Sequence, residues 1–173
     1  MKPINKKGLK YQNAFYEVFK SAQLSGAYVI YYDIDFSKEE LKSFSKKLIK
    51  HNTEEIEHRI NLNYLRKLIL EKYAFDVPKA AIAFPYRAKI KMYGKKTSSS
   101  DIVTVTTGCT DAVECYLLLA VYTLYMDYNF TQEQVMEWYE KFVEFCKLYA
   151  DGLTDEHVFK YFIQECDLKI AEE

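Results

Sequence analysis

Residues Ala112–Met126 read AVECYLLLAVYTLYM, and only Glu114 and Thr123 interrupt the apolar run. These 15 residues are too few to cross a bilayer, which needs about 20 apolar residues in a helix. They are also too apolar for a helix that lies on a protein surface. We therefore expect a central buried helix here, covered by the rest of the chain, and no membrane-spanning segment.

Two more helices are predicted after this segment. Thr131 and Gln134 have the spacing of a helix start, and Gly152 and Thr154 mark the end of that helix and the beginning of the last one. The apolar residues between and after them recur at helical spacing: Val135, Tyr139, Phe142, Cys146 and Tyr149 on the first helix, and Val158, Phe162 and Cys166 on the last. Residues 109–170 are therefore predicted to form a compact three-helix unit.

The N-terminal half carries both helix and strand signals. A helix is expected over 9–23, with Gly26 ending it, and Ala27–Asp35 (AYVIYYDID) is rich in the β-branched and aromatic residues typical of strands. Ser37 and Glu40 form a capping box that predicts a helix over about 38–50. Asn52 and Glu55 repeat that pattern and predict a separate helix over 53–74.

A long β-hairpin is predicted over 86–107. Arg87–Tyr93 (RAKIKMY) and Ile102–Thr107 (IVTVTT) both alternate with a period of two. Gly108 is expected to close the second strand, and Thr110 to cap the next helix. The predicted fold class is therefore α+β, with N-terminal helices and a small antiparallel sheet followed by the C-terminal three-helix unit.

The charge is divided between the two halves of the chain. Residues 1–100 carry 20 Lys and Arg against 10 Asp and Glu, and residues 101–173 carry 4 Lys against 15 Asp and Glu, although the net charge is only −1. We expect a basic α/β part over 1–100 and an acidic helical part over 101–173 within one integrated domain. Such asymmetry indicates polyanion contact on the basic side, unless the two parts face and neutralise each other.

Two basic surfaces are candidates for binding nucleic acid or another anionic partner. Like charges at a spacing of four oppose a helix by about 0.2–0.5 kcal/mol per pair, and a bound anion would reverse that effect. A basic β-ribbon can enter a nucleic-acid groove. The predicted residues are Lys38, Lys42, Lys46 and Lys50 on the helix that follows Ser37, and Arg87, Lys89, Lys91, Lys95 and Lys96 on the hairpin.

A third charged surface, the acidic ridge, consists of Glu133, Glu137, Glu140 and Glu144. These residues step by four, three and four along one predicted helix, so neighbouring carboxylates lie about 5–6 Å apart along its axis. That spacing is on the order of the spacing of phosphates along a nucleic-acid strand. The ridge is therefore a candidate competitor of nucleic acid for a basic groove.

Catalytic candidates are weaker. Asp33 and Asp35 on a predicted strand would point the same way, resembling the paired aspartates with which polymerase-like and primase-like palms hold divalent metal. His51, Glu55 and His58 have a spacing compatible with zinc ligation, but an exposed amphipathic face is expected. We expect no metal site and no catalytic residue.

Cysteine chemistry and cofactor binding are not expected either. The 4 cysteines include no C-x-x-C pair, and Cys115, Cys146 and Cys166 lie on apolar stripes. Cys109 lies near a predicted helix N-terminus, where its pKa would fall, and Thr106–Asp111 (TTGCTD) could bind a small anion there. No glycine-rich nucleotide loop exists, so the predicted cofactor is none.

Residues 113–170 resemble the C-terminal segment of small uncharacterised proteins of phages and prophages in Firmicutes. Three features carry the resemblance: the apolar helix that runs into Tyr125–Phe130, the helix with Val135, Tyr139 and Phe142, and Asp151–Glu156. The resemblance brings no activity or functional residue with it. The Lys-, Tyr- and Ile-rich, Arg-poor composition suits an A/T-rich phage genome. Such genomes carry many small, non-catalytic proteins that act by binding, including anti-CRISPR inhibitors of host defence, so a role of that kind is expected.

The leading hypothesis is a non-catalytic, cytoplasmic, phage-type interaction protein that acts on nucleic-acid machinery. Its partner would be a host protein or a protein–nucleic-acid complex, or DNA or RNA itself, and no membrane. One alternative is a metal-dependent nuclease or nucleotidyl-transfer enzyme that uses Asp33 and Asp35. The other is a structural protein that assembles as a homo-oligomer.

Overall fold

Six helices account for nearly all of the described chain. The computed structural model describes residues 6–57, 61–77, 98–150 and 156–168. Buried side chains from all six described helices join in one apolar core. The helices are α1 Lys6–Tyr32, α2 Lys38–Ile56, α3 Leu62–Tyr73, α4 Ser99–Tyr128, α5 Gln132–Ala150 and α6 Glu156–Cys166.

Helix α4 is the centre of the fold. Half of its 30 residues are buried, and α1 packs along it in the most extensive contact between helices. Helices α2, α3 and α5 contact α4 as well, and α5 also packs against α1. The prediction of a central buried helix at 112–126 is confirmed, but the helix begins 13 residues earlier, at Ser99.

The predicted α+β class is wrong, because the described residues contain helices and no strand. Residues 27–32 of the predicted strand Ala27–Asp35 form the last turns of α1, and Ile102–Thr107 lies in the first turns of α4. The other predicted hairpin strand, Arg87–Tyr93, lies outside the described residues. At the end of α1, burial of Ala27, Val29 and Ile30 overrides the strand preference of the segment. Ile102–Thr107 is mostly exposed, with only Val105 buried, and is helical as part of the long helix α4.

The threonines of IVTVTT are satisfied inside the helix. The hydroxyl groups of Thr104 and Thr107 donate to the carbonyls of Ser100 and Val103, at 2.8 and 2.9 Å. This bond to the carbonyl four residues earlier is available to Ser and Thr in any helix. Alternation over six residues therefore does not distinguish a strand from a helix with one buried edge.

Gly26 and Gly108 were both predicted to end an element, and neither does so. Gly26 lies within α1, and a Cβ atom there would lie 1.7 Å from the hydroxyl oxygen of Tyr116 on α4. Gly108 lies within α4, and its Cβ would lie 2.8 Å from the carbonyl oxygen of Tyr11 on α1. Glycine therefore fits both positions: the side chain of Tyr116 occupies the space beside Gly26, and the backbone of α1 approaches closely beside Gly108.

Helix α2 begins as predicted and ends later than predicted. The Ser37 hydroxyl accepts from the Glu40 N–H at 3.3 Å, and the Glu40 carboxylate accepts from the Ser37 N–H at 2.9 Å. The helix then continues through Asn52, which is not a cap, to Ile56. Asn61 caps α3 instead, accepting from the backbone N–H groups of the second and third residues after it.

Helices α5 and α6 present most of the predicted apolar faces to the core. Thr131 and Gln134 exchange side-chain and backbone hydrogen bonds at the start of α5. Val135, Phe142, Cys146, Phe162 and Cys166 are buried, and Tyr139 and Val158 are half-buried. The pattern missed Trp138, which is fully buried. The side chain of Tyr149 and the predicted boundary residues Gly152 and Thr154 lie outside what the structure describes.

The contact between Gly26 and Tyr116 predicts a coupled effect on stability. Gly26→Ala should lower the free energy of unfolding by about 1–3 kcal/mol, as overpacking does, despite the better helix propensity of alanine. Tyr116→Phe should change stability by less than about 1 kcal/mol, because the buried hydroxyl has no hydrogen-bond partner among the described residues. Urea unfolding followed by circular dichroism measures both values.

The double variant tests the contact itself. Gly26→Ala should cost less in the Tyr116→Phe background, although rescue will be partial because the ring carbon Cζ lies 2.8 Å from the new Cβ. Equal costs of Gly26→Ala in both backgrounds would contradict a direct contact between these residues.

Candidate functional site

The four predicted lysines of α2 are all exposed, but the C-terminal part of the chain contacts two of them. The ammonium group of Lys38 donates to the main-chain carbonyl of Glu165 at 2.9 Å. Lys42 lies 3.0 Å from the carboxylate of Asp167. The basic face of α2 is therefore partly covered by the end of α6.

Further along α2, the positive charges also have acidic neighbours. Lys50 lies 3.9 Å from Glu54 on the same helix, and Lys47 lies 3.6 Å from Asp127 at the end of α4. Lys46 has no ion pair or hydrogen bond with any described residue. The second basic surface (Arg87, Lys89, Lys91, Lys95 and Lys96) lies outside the described residues.

The acidic ridge lies on the exposed side of α5. All four of its glutamates are exposed, and Glu137 pairs with Lys141 at 2.9 Å. Glu133, Glu140 and Glu144 have no hydrogen bond or ion pair with a described residue. Most of the ridge therefore keeps its negative charge available at the surface.

Asp33 and Asp35 do not lie on a strand, contrary to the prediction. They lie in the connection between α1 and α2, both exposed, and Asp35 has a positive φ of 58°. The Lys141 ammonium donates to the Asp33 carbonyl at 2.8 Å. The hydrogen bond with Glu137, with smaller effects of Asp33 and Asp35, raises the pKa of Lys141. The two aspartates thus extend the negative charge that surrounds this lysine.

His51 lies inside α2 and connects it to α4. Its ring nitrogens lie 3.2 Å from Glu54 and 3.0 Å from Asp127, while His58 lies outside the described residues. Within the described ranges, no group of three or more His, Cys, Asp or Glu residues is placed to hold a metal ion. His51 therefore has a structural role at the junction of two helices.

The cysteines are all buried, and none forms a disulfide. Burial, followed by the charges of Glu55, Glu114 and Asp111, raises the pKa of Cys115 to about 12. Burial likewise raises the pKa of Cys146. Cys109 lies in the interior of α4 and not at a helix N-terminus, so the anion site predicted at Thr106–Asp111 is wrong: the backbone N–H groups there belong to the helix.

One cleft in the described structure was not predicted. It lies between α1, α2, α3 and α4 and has a volume of about 710 Å³. Its α1 wall carries Tyr11, Phe15 and Phe19, whose rings follow one another at centroid distances of 6.3 and 5.9 Å. The regular spacing of four between these aromatic residues was visible in the sequence, but only the position of α2 shows that one side of them faces a cleft.

Carboxylates gather at one end of this cleft, and a lysine lies nearer the other. Glu55, Asp111 and Glu114 line it together with Lys20. The Tyr11 hydroxyl donates to Asp111 at 2.7 Å, and Arg66 of α3 pairs with Glu114. The half-buried carboxylate of Glu55 has no hydrogen-bond or ion-pair partner among the described residues.

Helix α4 is also long and apolar enough to cross a membrane, the one such helix among the described residues. This differs from the expectation of no such segment. Half of the helix is buried against other helices, as in the core helix of a soluble protein. Length and composition alone are therefore weak evidence for membrane insertion.

The burial of the thiols predicts slow cysteine modification in the folded protein. At about pH 8, Ellman's reagent should react with the native cysteines no faster than the protein unfolds, because only exposed thiolates are good nucleophiles. All 4 cysteines should react at once in guanidinium chloride. Ser100→Cys places a cysteine at an exposed position and provides a control that should react rapidly in the native state. Equally rapid reaction of Cys109 in the native protein would contradict the prediction.

Comparison with protein-family models, with curated proteins and with solved structures finds no match to this chain. The resemblance of residues 113–170 to phage and prophage proteins is thus untested by these comparisons and stays a prediction.

Proposed function

We propose that this protein is a non-catalytic, cytoplasmic interaction protein that binds the basic surface of a nucleic-acid-binding protein through its acidic ridge. The observation that carries the proposal is the contrast between the two charged helices. Lys38, Lys42 and Lys47 of α2 contact the C-terminal half of the same chain, whereas three of the four ridge glutamates have no partner among the described residues.

The dimensions of the ridge suit a groove that accepts nucleic acid. Glu133 and Glu144 are separated by eleven residues, which corresponds to about 16 Å along α5. The like-charged neighbours at spacings of three and four repel one another by a few tenths of a kcal/mol each. A complementary cationic surface would relieve that repulsion, and opposite potentials would also accelerate association.

Inhibition of a host defence complex is the specific form of this proposal. Such complexes bind nucleic acid through grooves rich in Lys and Arg, so a protein with a row of carboxylates competes for the same charges. The resemblance of residues 113–170 to phage and prophage proteins supports this setting. Direct binding of DNA or RNA by α2 is less well supported, because four of its five lysines have acidic or carbonyl partners.

Neutralising the ridge should weaken binding. Immobilised wild-type protein should retain nucleic-acid-binding proteins from a nuclease-treated bacterial lysate, and added duplex DNA should release them. The triple variant Glu133→Gln, Glu140→Gln, Glu144→Gln should lose at least about tenfold in affinity for the protein retained, a change of about 1.4 kcal/mol. The readout is calorimetry with that purified protein.

A variant with the same change in net charge provides the control. Glu17, Glu39 and Glu71 are exposed and lie outside α5, so their replacement by glutamine should leave binding unchanged. The proposal is wrong if both triple variants bind equally well, or if DNA does not compete. It is also wrong if the protein itself shifts DNA in a gel with a steep salt dependence that Lys46→Gln and Lys50→Gln reduce.

A further inference from the structure

The cleft between α1, α2, α3 and α4 has the dimensions of a small-molecule site. Its volume of about 710 Å³ falls within the range of about 300–1,000 Å³ that ligand sites occupy. Apolar and aromatic side chains dominate the surface that it offers, and a few polar groups converge at its edges. None of the described lining residues belongs to α5, so the cleft is distinct from the acidic ridge.

One wall offers aromatic surface. Tyr11, Phe15 and Phe19 form a continuous ladder along α1, and Phe19 also meets Tyr116 of α4 edge-to-face at 6.1 Å. Leu48 and Ile49 of α2 line the cleft as well. This set favours a ligand with an apolar body, and the electron-rich ring faces favour a cation.

The charge of the cleft identifies the polar end of the ligand. Of its three carboxylates, Asp111 accepts a hydrogen bond from Tyr11 and Glu114 pairs with Arg66. Glu55 is left as a half-buried carboxylate with no partner among the described residues. A cationic group placed there would meet a carboxylate that no described residue pairs with.

The raised pKa values of Cys115 and Tyr11 agree with a negative potential at this end of the cleft. Burial is the largest cause of the raised pKa of the Cys115 thiol. The negative charges of Glu55, Glu114 and Asp111 raise this pKa further. Burial, with contributions from Asp111 and Glu55, also raises the pKa of the Tyr11 hydroxyl. The negative potential of the three carboxylates therefore converges at this end of the cleft.

The lysine that lines the cleft lies away from the carboxylates. Lys20 is nine residues from Tyr11 on α1, which corresponds to about 13 Å along the helix. A ligand whose cationic group meets Glu55 therefore places its apolar body between the two ends, over Phe15 and Phe19. An anionic ligand of the same size would instead face the unpaired carboxylate of Glu55, with Asp111 and Glu114 lining the same cleft.

We propose that this cleft binds a small organic cation, an amine attached to an aromatic or aliphatic body, with Glu55 as the counter-ion and the Tyr11–Phe15–Phe19 ladder as the apolar surface. The proposal goes beyond the proposed function and does not depend on it. It adds a ligand site on the side of α1 and α4 that the acidic ridge does not use.

Three probes of one shape test the charge requirement. Phenethylamine, phenethyl alcohol and hydrocinnamate differ in the charge of the polar end, and calorimetry and thermal unfolding measure their binding. Only the amine should bind saturably and raise the unfolding temperature. Longer phenylalkylamines should bind more tightly, because additional methylenes cover more of the apolar wall.

Glu55→Gln keeps the shape of the side chain and removes its charge, so it should weaken binding of the amine by about tenfold or more while the free protein still unfolds cooperatively. Phe15→Ala should weaken binding of amine as well, and Glu144→Gln on α5 should leave it unchanged. The proposal is overturned if no phenylalkylamine binds, if the alcohol binds as tightly as the amine, or if Glu55→Gln binds the amine like the wild type.

Discussion

The close packing of α1 against α4 is the interaction on which the rest of the structure depends. Helix α4 has buried residues on nearly all sides between Ala112 and Tyr125, so it requires neighbours along its whole length. Helix α1 supplies the most extensive of these contacts. Gly26 of α1 leaves room for the side chain of Tyr116 on α4, and Gly108 of α4 leaves room for the backbone of α1 at Tyr11. A Cβ atom at either glycine would clash with the facing helix, so neighbouring groups would have to shift and the packing between α1 and α4 would be disturbed.

The sequence predicted elements whose signals are local. The reciprocal hydrogen bonds of Ser37 with Glu40 and of Thr131 with Gln134 mark helix starts, because capping is decided by residues three positions apart. The strands predicted at Ala27–Asp35 and Ile102–Thr107 failed for the opposite reason. β-Branched and aromatic side chains fit a strand as well as a helix, whether that helix is buried, as at residues 27–30, or mostly exposed, as at Ile102–Thr107. The choice depends on the whole helix and its packing and not on these residues alone.

The charged surfaces also show which features are local, and so visible in the sequence, and which depend on contacts between distant residues. Composition alone revealed a basic and an acidic part, and the helical spacing of the ridge glutamates was visible in the sequence. Which lysines meet which carboxylates was not, because Lys42 and Asp167 are 125 positions apart. The cleft escaped prediction altogether, since its walls come from four helices and its unpartnered Glu55 looked like one more charge on an exposed helix face.

The strength of the contacts between the α2 lysines and the C-terminal part of the chain decides which charged surface is available to a partner. An exposed ion pair such as that between Lys42 and Asp167, with the carboxylate 89% exposed, is worth about 0–1 kcal/mol and weakens with salt. A polyanion could therefore displace Asp167, but it would still meet the carboxylates of Glu39 and Glu40 on the same helix. The ridge requires no such displacement, because Glu133, Glu140 and Glu144 already face solvent without a partner among the described residues. A cationic surface can thus bind the ridge without first displacing an internal contact, whereas an anionic one must first break contacts that hold α6 to α2.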